Sequence, residues 1–203
     1  RRVLFRSICV GTPTKKGSIK VDLSFVYKCT KEILKYSKRK KIIITKSTVP
    51  VGTGDEIEKI LKKKKKLFTV ISNPEFLREG EAIRDFRYPD RIVIGSNEKR
   101  TFNIMRKLYA PLTNKGSKFF TTSRRGAELI KYASNAFLAT KITFINELAN
   151  LCEKSGVNIE DISLGMGSDS RIGGRFLRAG PAYGGSCFPK DTKGLVSAAE
   201  KYK

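Results

Sequence analysis

Histidine is absent from this chain, and that absence excludes several kinds of site. Catalysis by Cys-His pairs or Ser-His-Asp triads needs an imidazole, and so does every zinc motif with a histidine ligand. The four cysteines lie far apart and form no CxxC pair, so neither a zinc site nor a disulfide framework is indicated. We therefore predict reduced thiols and no metal.

Long apolar runs are also lacking. No stretch approaches the roughly 18 apolar residues of a membrane span, and the first residues do not have the pattern of a signal sequence. We expect a cytoplasmic protein with no membrane partner. At 203 residues and 39% hydrophobic, the chain is long enough to bury a core.

Acidic residues are few, and the formal net charge is +23. Part of this charge lies in "KRKK" (38–41) and "KKKKK" (62–66). Such patches attract phosphate, which suggests a nucleic-acid partner. The runs are almost entirely lysine, without interleaved aromatic residues, and this favours a solvated surface. We predict no specific nucleic-acid partner.

The first seven residues, "RRVLFRS", do not look native. They resemble one reading frame of a sequencing adapter, so we set residues 1–7 apart from the fold as an expected artefact. From Ile8 onward the sequence has the pattern of a folded protein, and "ICVG" predicts a short strand.

From Ile8 to about Ile94, strand-like and helix-like segments alternate. "KIIITKS", "LFTVIS" and "RIVIGS" are continuous apolar runs, whereas "DLSFVYKCTKEILKYS" and "TGDEIEKILKKK" have helical spacing, the latter with Thr53 as a predicted N-cap. Such alternation indicates a parallel sheet covered on both faces, with ligands beyond the carboxyl ends of its strands. "VGTPT", "TKSTVP" and "SNPEFLREG" would lie along that edge.

The second half of the chain is helical. A long amphipathic pattern covers roughly residues 125–155 and is closed by Gly156; a shorter helix is expected near 158–166. A glycine-rich segment follows, with seven glycines between Gly165 and Gly185, and a final helix is expected to begin near Pro189.

Cys187 is the most prominent candidate for chemistry. "AYGGSCFPKD" places it just before a predicted helix start, and free helix amides together with Lys190 would favour its thiolate. Gly184 and Gly185 would allow close approach by a ligand. For an isolated cysteine, packing against a helix cap is the ordinary alternative.

Other polar pairs have two interpretations each. Asn73 and Pro74 suggest a helical turn that would place Glu75 and Glu79 on one face; the pair could handle protons or only complement a helix dipole. Lys131 and Asn135, one turn apart on the long helix, could stabilise an oxyanion, or Lys131 could simply be solvated.

Small hydroxyl groups and arginines complete the candidate set. Thr12 and Thr48 follow strands, where they could touch a cofactor or serve as turn residues. The glycine-rich segment offers Arg171, Arg175 and Arg178 with many backbone amides, which suits phosphates, although a flexible linker is the alternative.

Together, "ICVGTP", "TKSTVPVGTG", "SNPEFLREGEAIRDF", "PDRIVIG", "ELIKYASNAFLATKITFINELANLCE", "SRIG" and "YGGSCFPKD" closely resemble the UDP-glucose 6-dehydrogenases, from Ile8 to the end of the chain. GDP-mannose 6-dehydrogenases share the outline. The resemblance implies the second part of a Rossmann-type α/β NAD-binding domain (8–123). An all-α central domain would follow (124–203), with a dimerisation helix as in 6-phosphogluconate dehydrogenases.

The resemblance also implies a reaction, in which two NAD oxidise UDP-glucose to UDP-glucuronate through a thiohemiacetal and a thioester on Cys187. It implies that Lys131 and Asn135 stabilise the oxyanion, and that Asp191 and a water held by Thr48 serve proton transfer and hydrolysis. NAD would touch Thr12, Thr48, Glu79 and Lys190. The residues that would bind UDP-glucose are Glu75, Phe76, Leu77, Arg78, Glu79, Lys131, Asn135, Arg171, Phe176, Leu177, Arg178, Ala179, Gly180, Tyr183 and Gly184.

Two further expectations follow from the resemblance. Arg171 would reach the sugar site of a second copy of the chain, in a homodimer formed through the long helix (125–155). The glycine-rich dinucleotide loop of the family would precede Ile8, and its last domain would follow Lys203. We therefore expect the 203-residue chain to be inactive alone. The alternatives from other classes are a basic nucleic-acid-binding protein and a dimerisation module without catalysis.

Overall fold

A mixed sheet forms the first half of the molecule and has five strands in the part of the chain that the structure describes. The computed structural model describes residues 4–202, apart from the side chains of Lys63 and Lys65. The strands lie side by side in chain order: β1 (Phe5–Ile8), β2 (Lys41–Thr45), β3 (Phe68–Ser72), β4 (Arg91–Ser96) and β5 (Lys118–Thr122). The three central strands are almost wholly buried because both of their faces are apolar.

Helices cover both faces of the sheet, as the alternating pattern predicts. On one face, α1 (Ser24–Tyr36) and α2 (Thr53–Ile60) enclose a core that includes Val26, Ile43 and Ile57. On the other face, α4 (Lys99–Thr113) packs Met105 against Ile44, Ile71, Ile92 and Ile94. A 3₁₀ segment, Leu61–Leu67, joins α2 to β3.

The sheet is parallel except between β3 and β4. There Ile71 faces Ser96 and Ser72 faces Gly95 in antiparallel register, so the prediction of an entirely parallel sheet is wrong at this pair. The connection from residue 73 to residue 90 contains only the short helix α3 (Ala82–Arg87), which buries no residue. Because the connection stays at the carboxyl edge of β3, the chain re-enters the sheet from that edge. β4 therefore runs antiparallel to β3.

Between residues 124 and 202, the structure has three helices: α5 (Arg124–Ser155), α6 (Ile159–Gly167) and α7 (Phe188–Lys201). The side chain of Ser123 caps α5 by accepting from the amide of Gly126 at 3.0 Å. Gly156 ends the helix with φ of +70°, in the left-handed region. The three helices predicted for this half are confirmed to within one or two residues at the termini given for them. The helix predicted as "TGDEIEKILKKK" ends at Ile60, four residues earlier than predicted. The division of the chain at residues 123 and 124 stays a prediction.

Two strand and cap predictions need correction. The first strand is Phe5–Ile8, not "ICVG", so Phe5, Arg6 and Ser7 form part of the sheet although residues 1–7 were set apart from it. Residues 1–3 of that set lie outside the described residues. The cap of α2 is Gly52, with φ of +93°, and Thr53 is the first helical residue. The origin of residues 1–7 stays a prediction.

Within residues 4–202, none of the helices combines the length and the apolar character that crossing a membrane requires.

Candidate active site

A cavity of about 1070 Å³ lies where the two halves meet. Its wall is formed by residues that follow β1, β2 and β3, by the acidic segment (residues 73–81), by one face of α5, and by the loop that leads into α7. Ligands of open α/β sheets bind beyond the carboxyl ends of parallel strands, and the cavity occupies that position. Its volume is large for a single small ligand.

Cys187 lies in the wall of this cavity, at the N-cap of α7. It is half-buried, and Pro189 falls in the first turn of the helix, as the sequence predicts. Its Sγ lies 3.7 Å from the hydroxyl oxygen of Ser186. The thiol therefore stands at the positive end of a helix and faces a space that can hold a substrate.

Lys131 and Asn135 lie on the buried face of α5 and line the same cavity. The ammonium of Lys131 pairs with Glu75, with Nζ 3.2 Å from Oε1. The amide of Asn135 donates to Oδ2 of Asp191 at 2.6 Å and so ties α5 to α7. Two hydrogen-bond donors, one charged and one neutral, are thus fixed in the wall that also contains the thiol.

Asp191 lies behind the wall rather than in it. Its side chain is 1% exposed, and Oδ1 accepts from Nζ of Lys190 at 2.5 Å. The Asp191 carboxylate binds both Lys190 and Asn135, and these two side chains line the cavity. Its contact with the site is therefore indirect. Its predicted part in proton transfer stays a prediction.

The acidic segment is not the predicted helical turn. Residues 73–78 are irregular and a turn follows at 79–81, so Glu75 and Glu79 do not share a helix face. The side chain of Asn73 does not cap a helix, because its Nδ2 donates to the carbonyl of Val93 at 2.9 Å and its Oδ1 accepts from Tyr109. Both carboxylates nevertheless reach the cavity.

Each acidic residue contacts a different part of the wall. Glu75 pairs with Lys131, whereas Oε1 of Glu79 accepts from the hydroxyl of Ser186 at 2.9 Å, next to Cys187. The acidic segment thus connects the loop that carries Ser186 and Cys187 with α5.

The residues between the two carboxylates, Phe76, Leu77 and Arg78, also line the cavity. The Phe76 ring lies 4.0 Å from the guanidinium carbon of Arg91 and 5.3 Å from Nζ of Lys131. Arg78 pairs with Asp85 at 2.6 Å and lowers the pKa of that carboxyl to about 2.

On the sheet side, Thr12 and Thr48 are both buried in the cavity wall. The Thr12 hydroxyl donates to the carbonyl of Thr48 at 2.8 Å, which joins the ends of two neighbouring strands. Lys190, in the first turn of α7, also lines the cavity. The four residues predicted to touch NAD (Thr12, Thr48, Glu79 and Lys190) therefore line one cavity, with buried small hydroxyls on the sheet side.

The glycine-rich segment reaches the cavity only in part. Phe176 and Gly184 line it, and Tyr183 packs its ring against Phe188 with centroids 6.2 Å apart. Leu177 is a core residue, 2% exposed. The side chain of Arg171 is 88% exposed and pairs with Asp169 at 2.6 Å. Arg171, Leu177, Arg178, Ala179, Gly180 and Tyr183 do not line the cavity of their own chain.

Several polar residues of the wall were missed by the sequence reasoning. Burial lowers the pKa of Lys46, whose Nζ lies 3.4 Å from Oδ1 of Asn73. Lys46 follows β2 directly, so its position at the strand end was an available signal. Nζ of Lys141 donates to the carbonyls of Ile172 and Gly173 at 3.0 and 2.9 Å. The remaining polar additions to the wall are Ser47, Asp85, Asp90, Arg91, Tyr109, Ser134 and Ser186. Arg175, which the sequence offers as a candidate for phosphate, also lines the cavity.

Across residues 4–202, no group of three or more Cys, Asp or Glu side chains is arranged to hold a metal ion.

Comparison with known proteins gives consistent matches over both halves. Residues 3–113 match the family model described as the NAD binding domain of the UDP-glucose/GDP-mannose dehydrogenase family, and residues 125–203 match its central domain. The chain is 54% identical to the UDP-glucose 6-dehydrogenase of Rhizobium meliloti, over 96% of this chain and 46% of that protein. It is 50% identical to the UDP-glucose 6-dehydrogenase of Bacillus subtilis, over 95% and 43%.

Solved structures show the same relationship. A UDP-glucose dehydrogenase from Pyrobaculum islandicum has a TM-score of 0.91 at 37% identity, over 98% of this chain and 46% of that one. A GDP-mannose dehydrogenase from Pseudomonas aeruginosa has a TM-score of 0.76 at 31% identity, over 98% and 47%. The chain thus spans somewhat less than half the length of the relatives it matches.

Proposed function

The chain belongs to the UDP-glucose/GDP-mannose dehydrogenase family, and from that premise we propose that the complete protein oxidises UDP-glucose to UDP-glucuronate with two NAD. One observation carries the proposal. A thiol at a helix N-terminus, a buried lysine and a buried amide converge on one cavity from α5 and α7. In a chain without histidine, this arrangement suits covalent oxidation of an aldehyde.

Cys187 captures the aldehyde in this proposal. When bound, NAD would supply the oxidising power for two oxidations, alcohol to aldehyde and thiohemiacetal to thioester. Each would take one hydride from carbon, and the hydroxyl would release one proton. Sγ of Cys187 adds to the aldehyde carbon, and the thiol proton moves to the carbonyl oxygen, which becomes the hydroxyl of the thiohemiacetal. After the second oxidation, water adds to the thioester carbon and the carbon–sulfur bond breaks. The thiol takes one proton of the water, and the acid is released as carboxylate and a second proton. The covalent bond retains the aldehyde between the two oxidations.

Lys131 and Asn135 stabilise the oxygen that becomes negative in these steps. Their Nζ and Nδ2 atoms are held in the wall by Glu75 and Asp191, so little reorganisation is needed when charge develops. Thr48 positions the hydrolytic water, and Asp191 takes part in proton transfer through its contacts with Lys190 and Asn135.

The ligands would divide the cavity between them. Thr12, Thr48, Glu79 and Lys190 would hold the cofactor, where buried hydroxyls permit close approach. UDP-glucose would lie along the acidic segment and the glycine-rich segment. The identity and TM-score favour the UDP-glucose branch over the GDP-mannose branch.

A second copy of the chain completes the site in this proposal. Leu129, Phe137, Phe144 and Leu151 recur at intervals of seven or eight residues along α5, and all four are exposed. That spacing makes one apolar stripe, which suits a helix–helix dimer. Arg171 is exposed and does not line the cavity of its own chain, which supports a role in the site of the other copy. A cytoplasmic location stays a prediction.

The test uses the complete protein with UDP-glucose and NAD. We expect two NADH, read at 340 nm, for each UDP-glucuronate formed, and a higher kcat/KM for UDP-glucose than for GDP-mannose. Cys187→Ala should abolish acid formation, whereas the matched variant Cys29→Ala, in α1 away from the cavity, should retain it. Normal acid formation by Cys187→Ala would refute the assignment of the nucleophile.

A further inference from the structure

Glu128 is a buried carboxylate that the proposed chemistry does not use. It is 3% exposed and lies on α5 just before Lys131, outside the cavity wall. Oε2 accepts from the amide of Gly52 at 2.7 Å, and Oε1 accepts from the amide of Gly54 at 2.8 Å and the hydroxyl of Ser72 at 3.2 Å. One side chain thus satisfies three donors from two other elements.

The two amides belong to the start of α2. The first N–H groups of a helix lack partners within the helix, and the side chain of its cap residue usually accepts from one of them. Here the cap residue is Gly52, which has no side chain to do so, and Glu128 takes that role from another helix. A Cβ at Gly54 would lie 3.0 Å from Oε1, so the carboxylate is packed directly against the backbone.

This contact joins two parts of the proposed active site. Residues 49–52 connect Thr48 to α2, while Lys131 and Asn135 follow Glu128 by three and seven residues on the same face of α5. On the other side, Thr48 is tied to Thr12 through its carbonyl. The carboxylate of Glu128 is therefore one direct link between the segment that follows Thr48 and the face of α5 that carries Lys131 and Asn135.

We propose that Glu128 is a positioning residue for the oxidation, and that it holds Thr48 in register with Lys131 and Asn135. This role rests on the proposed function. The ionised carboxylate is the competent form, because two oxygens without protons are needed to accept from two backbone amides at once.

The surroundings of Glu128 define when it is ionised. Burial raises its pKa to about 6, against the opposing effect of its three hydrogen bonds. The charged and titratable groups near it are Asp55 on α2 and Arg124, Arg125 and Tyr132 on α5. Asp191 on α7 raises the pKa of Tyr132, and β3 contributes only the neutral hydroxyl of Ser72.

The test compares Glu128→Gln with wild type in the complete protein. Glutamine keeps the shape of the side chain, but only one of its two terminal atoms can accept. We expect kcat to fall about 10- to 100-fold, because small misplacements of reacting groups have effects of this size. The KM for UDP-glucose should stay within about twofold, and the acid limb of kcat near pH 6 should disappear.

A matched control separates positioning from general loosening. Glu58 is one of two carboxylates that pair with the buried Arg124, so Glu58→Gln weakens the α2–α5 contact without touching Glu128. It should lower the melting temperature but keep both kcat and the acid limb. A Glu128→Gln variant with wild-type kcat and acid limb would overturn the positioning role, and so would a Glu58→Gln variant that loses both.

Hydrogen exchange distinguishes failure of the proposed function from failure of the positioning role of Glu128. The amides of Gly52 and Gly54 should be protected in wild type and exchange faster in Glu128→Gln. If wild type retained this protection but did not oxidise UDP-glucose, the proposed function would fail and the positioning role with it. If wild type oxidised UDP-glucose without protection of these amides, only the role of Glu128 would fail.

Discussion

The contact between α5 and α7 leads to a prediction that can be tested with one methyl group. Gly194 of α7 lies directly against the fully buried ring of Tyr132 on α5. A Cβ at Gly194 would stand 2.5 Å from Cε1, 3.0 Å from Cζ and 3.1 Å from the hydroxyl oxygen of that ring. Because the ring is enclosed, Gly194→Ala must move the two helices apart.

The size of the effect follows from these distances. Ordinary carbon contacts are about 3.5–4.0 Å, so the helices must separate by about 1 Å. Overpacking of this kind costs about 1–3 kcal/mol, which outweighs the 0.5–1 kcal/mol that alanine gains over glycine in a helix. The Asn135–Asp191 bond, 2.6 Å long, would stretch beyond hydrogen-bond range, so activity of the complete protein should also fall.

A second glycine supplies the matched control. Gly165 lies inside α6, and a Cβ there would meet nothing within 4 Å. Gly165→Ala should therefore raise the free energy of unfolding by about 0.5–1 kcal/mol, measured by denaturant titration, whereas Gly194→Ala should lower it by about 1–2 kcal/mol. If Gly194→Ala proved as stable as Gly165→Ala, the close packing of α5 and α7 would be refuted.

Three further predictions concern charge. The pKa of Glu128 is raised from 4.5 to about 6, so folding favours its neutral form and the fold is most stable below pH 4.5. About 2 kcal/mol of the free energy of unfolding should be lost as the pH rises through 6. Denaturant titrations at several pH values should show this loss in wild type but not in Glu128→Gln. Lys131→Met should lower kcat of the complete protein by about 10²–10³, whereas Lys154→Met, exposed in the last turn of the same helix, should leave kcat unchanged; equal rates would contradict the role of Lys131. The lysine runs at 38–41 and 62–66 should retain the protein on heparin only at low salt, and a sequence-selective gel shift would contradict that expectation.

Glu128 combines two opposite effects. Its ionised form is the one that accepts from both amides, yet burial makes that same form unfavourable for the fold. A conflict between stability and function is expected at functional positions.

Local signals predicted the helical half well. The apolar repeat and Gly156 predicted α5, because each acts within a few residues of the helix that it buries or ends. The Ser123 cap was not predicted, although its cause is equally local. The position of Cys187 at the start of α7 was predictable for the same reason, since Pro189 lies two residues away. Features whose physical cause is local can be read from a sequence.

The errors arise where distant residues compete for the same side chain. "NPE" is a normal helix start, but Asn73 bonds to Val93 and Tyr109 instead, and these partners are 20 and 36 residues away. The antiparallel β4 likewise depends on the path of the whole connection, and only that path brings Arg91 to Phe76. Nothing in the residues near position 91 reports this neighbour.

The continuity of α5 restricts how the chain can change in length. One helix contacts the start of α2 through Glu128, the cavity through Lys131 and Asn135, and the glycine-rich segment through Lys141. A single inserted residue turns everything beyond it by about 100°, because a helix has 3.6 residues per turn. An insertion between Glu128 and Lys131 would therefore leave α2 in place while rotating both site residues out of the wall. Length changes can be absorbed after Gly156, where the helix has ended, but not within it.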